Sequence, residues 1–230
     1  MCASRFPSRL VGLLFAGLLL AGCGGRPLLP ASLSGDTDST AVVDPNEPFR
    51  DEFIPGQTAN WLLEQDDVGS TAVVNDQLVI TVAAPNTIQY ATLTDRAFGD
   101  FVLEVDAWQR GGAPESSYGV LFRIQEDGRF YRFDITGNGL YMIERRDTDG
   151  TWTRLLREWT PTAAINQGLN VANRLKIIAN GADMAFYVND ILLTQVSDTA
   201  LAEGRIGLDA GSFAGNALQV TFDNVSVIPE

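Results

Sequence analysis

The sequence predicts an all-β domain of the sandwich or barrel class. From residue 49 onward, apolar and polar side chains alternate at a spacing of two, and no window of a dozen residues shows the 3.6-residue period of a helix. Turn sequences rich in Asp, Asn and Gly lie at 126–128, 137–139 and 147–150, about eleven residues apart. About a dozen short strands separated by such turns are typical of a sandwich or a barrel.

The segment 101–110 shows the alternation most clearly. Its apolar residues share one face, and the other face carries Glu104, Asp106, Trp108 and Arg110. Such a strand turns one face to the core and the other to solvent. The same pattern predicts strands at 78–82, 118–125, 129–136, 140–146, 151–159, 173–179, 184–188, 205–210 and 218–227. A segment of about 180 residues buries about 70% of its surface in one domain. We therefore expect residues 49–230 to form a single domain.

The first 48 residues are predicted to lie outside that domain. Arg5 and Arg9 precede an apolar run at 10–22, whose 13 residues are fewer than the ~20 needed to span a bilayer. Residues 20–23, Leu-Ala-Gly-Cys, resemble the lipobox of bacterial lipoproteins. We therefore expect a signal peptide at 1–22, lipidation of Cys23 and a flexible tether at 23–48, which is rich in Gly, Pro, Ser and Thr. The alternative is an ordinary signal peptide that is cleaved nearby.

The composition excludes several functional classes. Lys and Arg number 16 against 29 Asp and Glu, and the resulting net charge of −13 opposes nucleic acid as a partner. Because the chain has no histidine, it cannot form a Ser-His-Asp site, a Cys-His site or an H-E-x-x-H zinc site. Two cysteines are too few for a disulfide framework or a four-cysteine zinc site. Any catalysis must therefore use carboxylates, tyrosine, arginine or a metal held by oxygen.

A series of short segments, in this order, resembles the concanavalin A-like jelly rolls. The segments are 49–53, Trp61, 76–80, 100–104, 118–123, 130–133, 173–177, 186–190, 204–208 and 222–225. Within that superfamily the chain is most similar to the laminin-G-like domains and to the 3-keto-disaccharide hydrolase family. The resemblance implies a jelly-roll sandwich of two antiparallel sheets, one of them curved, with the first and last strands adjacent. Members of these families bind or cleave carbohydrate.

The resemblance also allows a test for glucanase chemistry. Jelly-roll glucanases carry E-x-D-x-E or E-x-D-x-x-E on a concave strand, where the carboxylates act as nucleophile, helper and acid/base. Glu104 and Asp106 match the first two positions, but Trp108 or Gln109 occupies the third. A retaining glucanase mechanism therefore lacks its acid here. In the other interpretation, Glu104 and Asp106 pair with arginines on neighbouring strands.

A sugar site needs an aromatic surface and polar side chains that bind pairs of hydroxyl groups. If the aromatic residues of 118–146 face the core, the polar residues between them face outward. We therefore predict a concave ligand face formed by Glu104, Asp106, Trp108, Arg123, Gln125, Arg132, Asp134, Glu144 and Arg146. The alternative is a solvated face held by cross-strand ion pairs. Trp61, Trp152 and Trp159 are interpreted as packing residues.

The expected function follows from these features. We expect an extracytoplasmic lipoprotein, anchored by lipid to a bacterial membrane at the cell surface or in the periplasm, whose domain binds a carbohydrate or glycan without catalysis. One alternative is a hydrolase of the 3-keto-disaccharide type, because 119–123 and 130–134 match strands of that family. Another is an adhesion domain that binds protein. We expect no cofactor, with one exception. The resemblance implies that Asp51 and Asp223 lie close together, where they are candidate calcium ligands. In the alternative interpretation, their side chains accept hydrogen bonds from backbone amides at the strand ends.

Overall fold

The computed structural model describes residues 46–59, 61–213 and 217–230, which form sixteen strands and no helix. The strands are β1 (Phe49–Asp51), β2 (Trp61–Leu62), β3 (Gly69–Val74), β4 (Gln77–Val82), β5 (Thr87–Leu93), β6 (Phe101–Gly111), β7 (Ser117–Ile124), β8 (Phe130–Thr136), β9 (Leu140–Arg146), β10 (Trp152–Arg154), β11 (Thr160–Pro161), β12 (Ala172–Asn180), β13 (Asp183–Val188), β14 (Ile191–Ser197), β15 (Arg205–Ser212) and β16 (Leu218–Pro229). The predicted signal peptide and Cys23 lie outside the described residues. Within them, no helix is long and apolar enough to cross a membrane.

The strands form two antiparallel sheets of eight strands each. The first sheet has the order β14-β13-β12-β6-β16-β4-β3, with β1 also paired to β16. The second sheet has the order β10-β9-β8-β7-β15-β5-β2, with β11 also paired to β9. The predicted all-β sandwich of two antiparallel sheets is therefore confirmed. The strand count exceeds the expected dozen because six strands lie outside the ten predicted segments: β1, β2, β3, β5, β11 and β14.

The two sheets meet through the apolar side chains that they turn inward. Burial alternates residue by residue along most of β6, as its sequence predicts. Aromatic rings cross the interface: the ring of Phe122 on β7 lies 6.2 Å from that of Phe101 and 6.0 Å from that of Phe186, between centroids. Phe133 on β8 lies 5.1 Å from Phe186. Since full burial of such a side chain contributes about 1.5–3 kcal/mol, this layer holds the sandwich together.

A bulge in β7 reverses the direction predicted for Arg123. Phe122 and Arg123 together stand opposite the single residue Ile206 of β15, and Arg123 has a φ of 51°. The Arg123 side chain is fully buried, and its Nη1 atom donates to the carbonyl oxygens of Gly181 at 2.8 Å and Leu201 at 2.9 Å. The prediction that Arg123 faces a ligand is therefore wrong. It instead ties the end of β7 to the loops after β12 and β14.

The predicted strand at 151–159 is shorter in the structure. Strand β10 covers only Trp152–Arg154. The chain then turns, because the N–H groups of Leu155 and Leu156 both donate to the carbonyl oxygen of Ile143. The sequence also missed β3, β5 and β14. Strand β14 begins with three consecutive apolar residues, so alternation could not reveal it.

The first and last strands are adjacent, as the resemblance implies. Phe49 of β1 stands opposite Val227 of β16. The next segment is held by Asp51, whose Oδ2 atom accepts hydrogen bonds from the backbone N–H of Ala59 at 2.7 Å and from the indole N–H of Trp61 at 2.9 Å. Trp61 is 8% exposed, which agrees with its interpretation as a packing residue.

Candidate functional site

The nine side chains predicted to form one ligand face lie in three places. Glu104, Asp106 and Trp108 belong to β6 of the first sheet, and Arg123 is buried between the sheets. The other five lie on or directly beside the second sheet: Gln125, Arg132, Asp134, Glu144 and Arg146. Because the inner faces of the sheets pack together, their outer faces point in opposite directions. One ligand cannot contact both sets.

Cross-strand ion pairs occupy the carboxylates of β6. Arg174 of β12 stands opposite Asp106 and donates to its Oδ1 atom at 2.8 Å. Lys176 stands opposite Glu104, with Nζ 2.8 Å from Oε1. This is the alternative interpretation of the two residues, with a lysine in place of one expected arginine. The first sheet therefore presents a face of paired charges.

The calcium candidates Asp51 and Asp223 do not share a site. Asp51 faces inward, where its carboxylate accepts hydrogen bonds from backbone amides, whereas Asp223 lies on the outer face of β16 opposite Asp106. Burial raises the pKa of Asp223 above its usual value. The prediction of a joint calcium site is therefore wrong. In the ranges 46–59, 61–213 and 217–230, no group of three or more His, Cys, Asp or Glu side chains is placed to hold a metal ion.

Arg132 is the centre of a buried cluster of charges on the outer side of the second sheet. Its Nη2 atom lies 2.5 Å from Oδ2 of Asp134 and 2.6 Å from Oδ2 of Asp209. The same Nη2 donates to the hydroxyl oxygen of Ser117 at 3.1 Å, and Nη1 lies 3.4 Å from Oε1 of Glu144. Three carboxylates thus share one guanidinium. We call these five residues the Arg132 cluster.

The Arg132 cluster depends on a glycine between its two aspartates. Gly119 of β7 stands opposite Asp134 on one side and Asp209 on the other. A Cβ atom at Gly119 would lie 1.9 Å from the carbonyl oxygen of Phe133 and 2.6 Å from Oδ1 of Asp134. A side chain therefore does not fit there. Because Gly119 has no side chain, the carboxylates of Asp134 and Asp209 both have room to reach Arg132.

Burial and the neighbouring charges together shift the pKa values of Asp134 and Arg132 in the Arg132 cluster. Burial raises the pKa of Asp134 well above the usual range of a carboxyl group, although Arg132 acts in the opposite direction. Burial alone would lower the pKa of Arg132, but the carboxylates of Asp134, Asp209 and Glu144 outweigh it and raise that pKa. The side chains of Arg132, Asp134 and Asp209 are at most 3% exposed. The cluster therefore lies beneath the surface that a ligand would touch.

An open groove lies beside the cluster on the same face, and we call it the face groove. Its lining includes Tyr90, Leu121, Gln125, Phe130, Arg146 and Arg205. Leu121 stands opposite Arg132 on the neighbouring strand, so the groove and the cluster share a boundary. The cluster and the groove are therefore neighbours on one face of the second sheet.

Aromatic and polar groups converge at the face groove. Tyr90 lines the groove and is 38% exposed, whereas Trp152 is exposed to the same extent but is not one of the lining residues. Trp152 packs edge-on against Phe130, with 5.7 Å between ring centroids. The guanidinium of Arg146 lies 6.0 Å from the centroid of the Phe130 ring and donates to the carbonyl oxygen of Gly128 at 3.2 Å. Such a surface can stack against a sugar ring and bind its hydroxyl groups.

Three residues of this region were missed at the sequence level: Tyr90, Arg205 and Asp209. Tyr90 lies on β5, a strand that the sequence did not reveal. Arg205 and Asp209 lie on β15, which was predicted as a strand. Alternation along 205–210 places both side chains on the face opposite Leu208. That signal was present, and it would have added Asp209 to the candidates.

Fold and groove together define a concanavalin-like jelly-roll domain, the architecture of glucanases and carbohydrate-binding modules. The chain belongs to the family of 3-keto-α-glucoside-1,2-lyase-like domains, whose family model matches residues 52–228. The resemblance to the 3-keto-disaccharide hydrolase family is therefore confirmed. A search of curated proteins gave no match to the chain.

Similar solved structures support the same architecture. The carbohydrate-binding module CBM66 from Bacillus subtilis is 19% identical, with a TM-score of 0.59, over 73% of this chain and 94% of that chain. A β-1,3-1,4-glucanase from a mouse hindgut metagenome is 10% identical, with a TM-score of 0.61, over 80% and 99%. The Bacillus licheniformis β-glucanase is 10% identical, with a TM-score of 0.57, over 80% and 98%. At these identities the likeness concerns the fold.

The raised pKa of Asp134 predicts how stability changes with pH. The folded protein binds the Asp134 proton more tightly than the unfolded chain, whose carboxyl pKa is about 4. The free energy of unfolding therefore falls as pH rises from that value through the raised pKa. Asp134→Asn, which imitates the protonated acid, should remove this decrease and be at least as stable as the wild type at neutral pH. Urea unfolding across a pH series measures it.

A control with the opposite sign is Asp147→Asn. Hydrogen bonds from Arg145 and Thr153 lower the pKa of Asp147, so its charged form stabilises the fold above pH ~4. The control variant should therefore lose stability at neutral pH and match the wild type in acid. A wild-type pH profile that Asp134→Asn leaves unchanged would contradict the assignment.

Proposed function

We propose that this domain binds carbohydrate without catalysis and that the face groove is the binding site. The observation that carries the proposal is the convergence of the exposed Tyr90 ring with the guanidinium groups of Arg146 and Arg205. An aromatic ring stacks on the apolar face of a pyranose, and planar guanidinium groups bind its hydroxyl pairs. Family membership and the solved carbohydrate-binding module support the same proposal.

The opposite face supports carbohydrate binding less well. There Glu104 and Asp106 are occupied by ion pairs, and the guanidinium of Arg110 covers Trp108 at 5.1 Å from its ring. An aromatic ring that is already covered offers less stacking surface. Trp108 therefore serves as a matched control, because it is a half-exposed tryptophan on a strand of the same fold.

Tyr90→Ala should lower the affinity for a bound glycan about tenfold, the loss expected for ~1–1.5 kcal/mol of aromatic contact. Trp108→Ala should leave that affinity within a factor of about two. A glycan array with the purified full-length protein identifies the glycan, and calorimetric titration of the variants measures the affinities. Loss of binding in Trp108→Ala with retention in Tyr90→Ala would place the site on the first sheet. A blank array together with capture of a protein ligand would favour the adhesion function.

Catalysis on 3-keto-glucosides is the second candidate, favoured by the Arg132 cluster within this family fold. In a 1,2-elimination a base removes the C2 proton beside the C3 ketone, the C1=C2 bond forms and the C1–O bond breaks, and the departing alkoxide takes up a proton. Asp134 and Asp209 meet at one guanidinium, and a carboxyl group with a raised pKa is suited to proton transfer near neutral pH. The near-complete burial of both side chains is the reason why we place binding first.

Turnover decides between the two candidates. Our proposal expects no unsaturated 3-keto sugar when the protein is incubated with the 3-keto derivatives of maltose and trehalose. Product formation that is lost in Asp134→Asn and Asp209→Asn, but retained in Asp106→Asn on the other sheet, would instead establish the enzyme.

We further propose that Cys23 carries the lipid that anchors the protein to the membrane outside the cytoplasm. The lipobox-like segment at 20–23 supports this, and each acyl methylene adds about 0.8 kcal/mol of membrane affinity. Cys23→Ser should abolish incorporation of a labelled fatty acid and move the protein from the membrane fraction to the soluble one, whereas Cys2→Ser should change neither. Unchanged labelling of Cys23→Ser would refute the anchor.

A further inference from the structure

The face groove continues into a second depression at one end of the second sheet. We call this second depression the end groove, and it lies where β5 and β7 end and β15 begins. Its own lining includes Arg96 and Glu203. Both grooves are lined by Ile124, Gln125, Glu126 and Arg205. These four shared residues form a ridge between the two grooves.

The face groove alone is smaller than a typical small-molecule site, and the end groove alone lies in the lower part of the usual range. The face groove has a volume of about 200 Å³ and the end groove about 360 Å³, against roughly 300–1,000 Å³ for sites that enclose a drug-sized ligand. The face groove falls below that range and the end groove lies near its lower limit. Joined across the ridge, the grooves fall well inside the range. The geometry therefore favours one elongated ligand over two small ones.

The ridge is fixed in place by hydrogen bonds. The side-chain N–H₂ of Gln125 donates to the carbonyl oxygen of Arg123 at 3.0 Å and to that of Glu203 at 2.5 Å. Arg123 is itself held in the core, so the position of Gln125 follows from the bulge in β7. Arg205 stands opposite Ile124 and makes no ion pair with any residue in the described ranges. Its guanidinium donors remain for a ligand that crosses the ridge.

We infer that the ligand is a glycan chain longer than a disaccharide, which lies across the ridge with sugar units in both grooves. This inference rests on the proposed function and adds the length of the ligand to it. The face groove supplies the stacking surface of Tyr90. The end groove supplies Arg96, whose Nη1 donates to the carbonyl oxygen of Glu47 at 3.0 Å and whose guanidinium lies 5.6 Å from the Phe49 ring centroid. These contacts hold Arg96 in one position, which limits the entropy lost when it binds a sugar.

The experiment is a chain-length series titrated into the full-length protein by calorimetry. The probes are malto-oligosaccharides and cello-oligosaccharides of two, four and six units. In the series that binds, the affinity should rise at least tenfold from two units to four or six. Arg96→Ala should bring the ratio of hexasaccharide to disaccharide affinity close to one, whereas Tyr90→Ala should weaken binding at every length. Arg50→Ala, an exposed arginine on β1, should preserve both the ratio and the affinities.

The outcomes separate this inference from the proposed function. Equal affinities for two, four and six units would overturn the inference and leave carbohydrate binding intact. A length effect that Arg96→Ala does not reduce would also overturn it, because the extra units would then bind elsewhere. Absence of binding at every length in both series, together with a blank glycan array, would overturn the proposed function as well. Thermal unfolding of each variant shows that the measured losses are not failures of folding.

Discussion

The contact between the two sheets is the constraint on which the rest of the structure depends. Phe101, Phe122, Phe133 and Phe186 form a continuous layer of rings between them. Once those side chains point inward, the alternation along each strand determines which residues reach the outer faces. The same packing makes the two outer faces independent surfaces. Asp106 on β6 and Arg132 on β8 therefore lie on opposite sides of the molecule, although only one strand separates theirs along the chain.

Alternation explains what the sequence could and could not predict. It gave the inward direction of Tyr131 and Phe133 and the outward direction of Arg132 and Asp134, because β8 is regular. It failed at Arg123, where one additional residue in β7 reverses the pattern. It also could not assign strands to sheets, since neighbours in a sheet are set by contacts between distant segments. For that reason the predicted ligand face combined residues of both sheets. The outward direction of Asp209, by contrast, was predictable from the alternation along its own strand.

The Arg132 cluster and the face groove illustrate how a buried polar group can shape an exposed surface. A guanidinium shared by three carboxylates restrains all of them in one arrangement, and burial raises the pKa of Asp134, which favours the form that carries less negative charge. Buried ion pairs of this kind often contribute little net stability, because desolvation offsets their attraction. In this protein the main consequence of the ion pairs is that they fix the positions of the four charged side chains. Leu121, which lines the groove, stands opposite Arg132 on the neighbouring strand, so the cluster lies directly beside the groove.

The two strands at the C-terminal end of the chain occupy central positions in the two sheets. Strand β15 lies in the middle of the second sheet and β16 in the middle of the first, although they are the last two strands of the chain. Neither sheet is complete until β15 and β16 have been synthesised, and both strands pair with segments that are far away in the sequence. Folds dominated by such contacts form slowly, on a scale of about milliseconds to seconds. Until β15 and β16 are added, each sheet consists of two separate groups of paired strands, β14-β13-β12-β6 and β4-β3 in the first and β10-β9-β8-β7 and β5-β2 in the second.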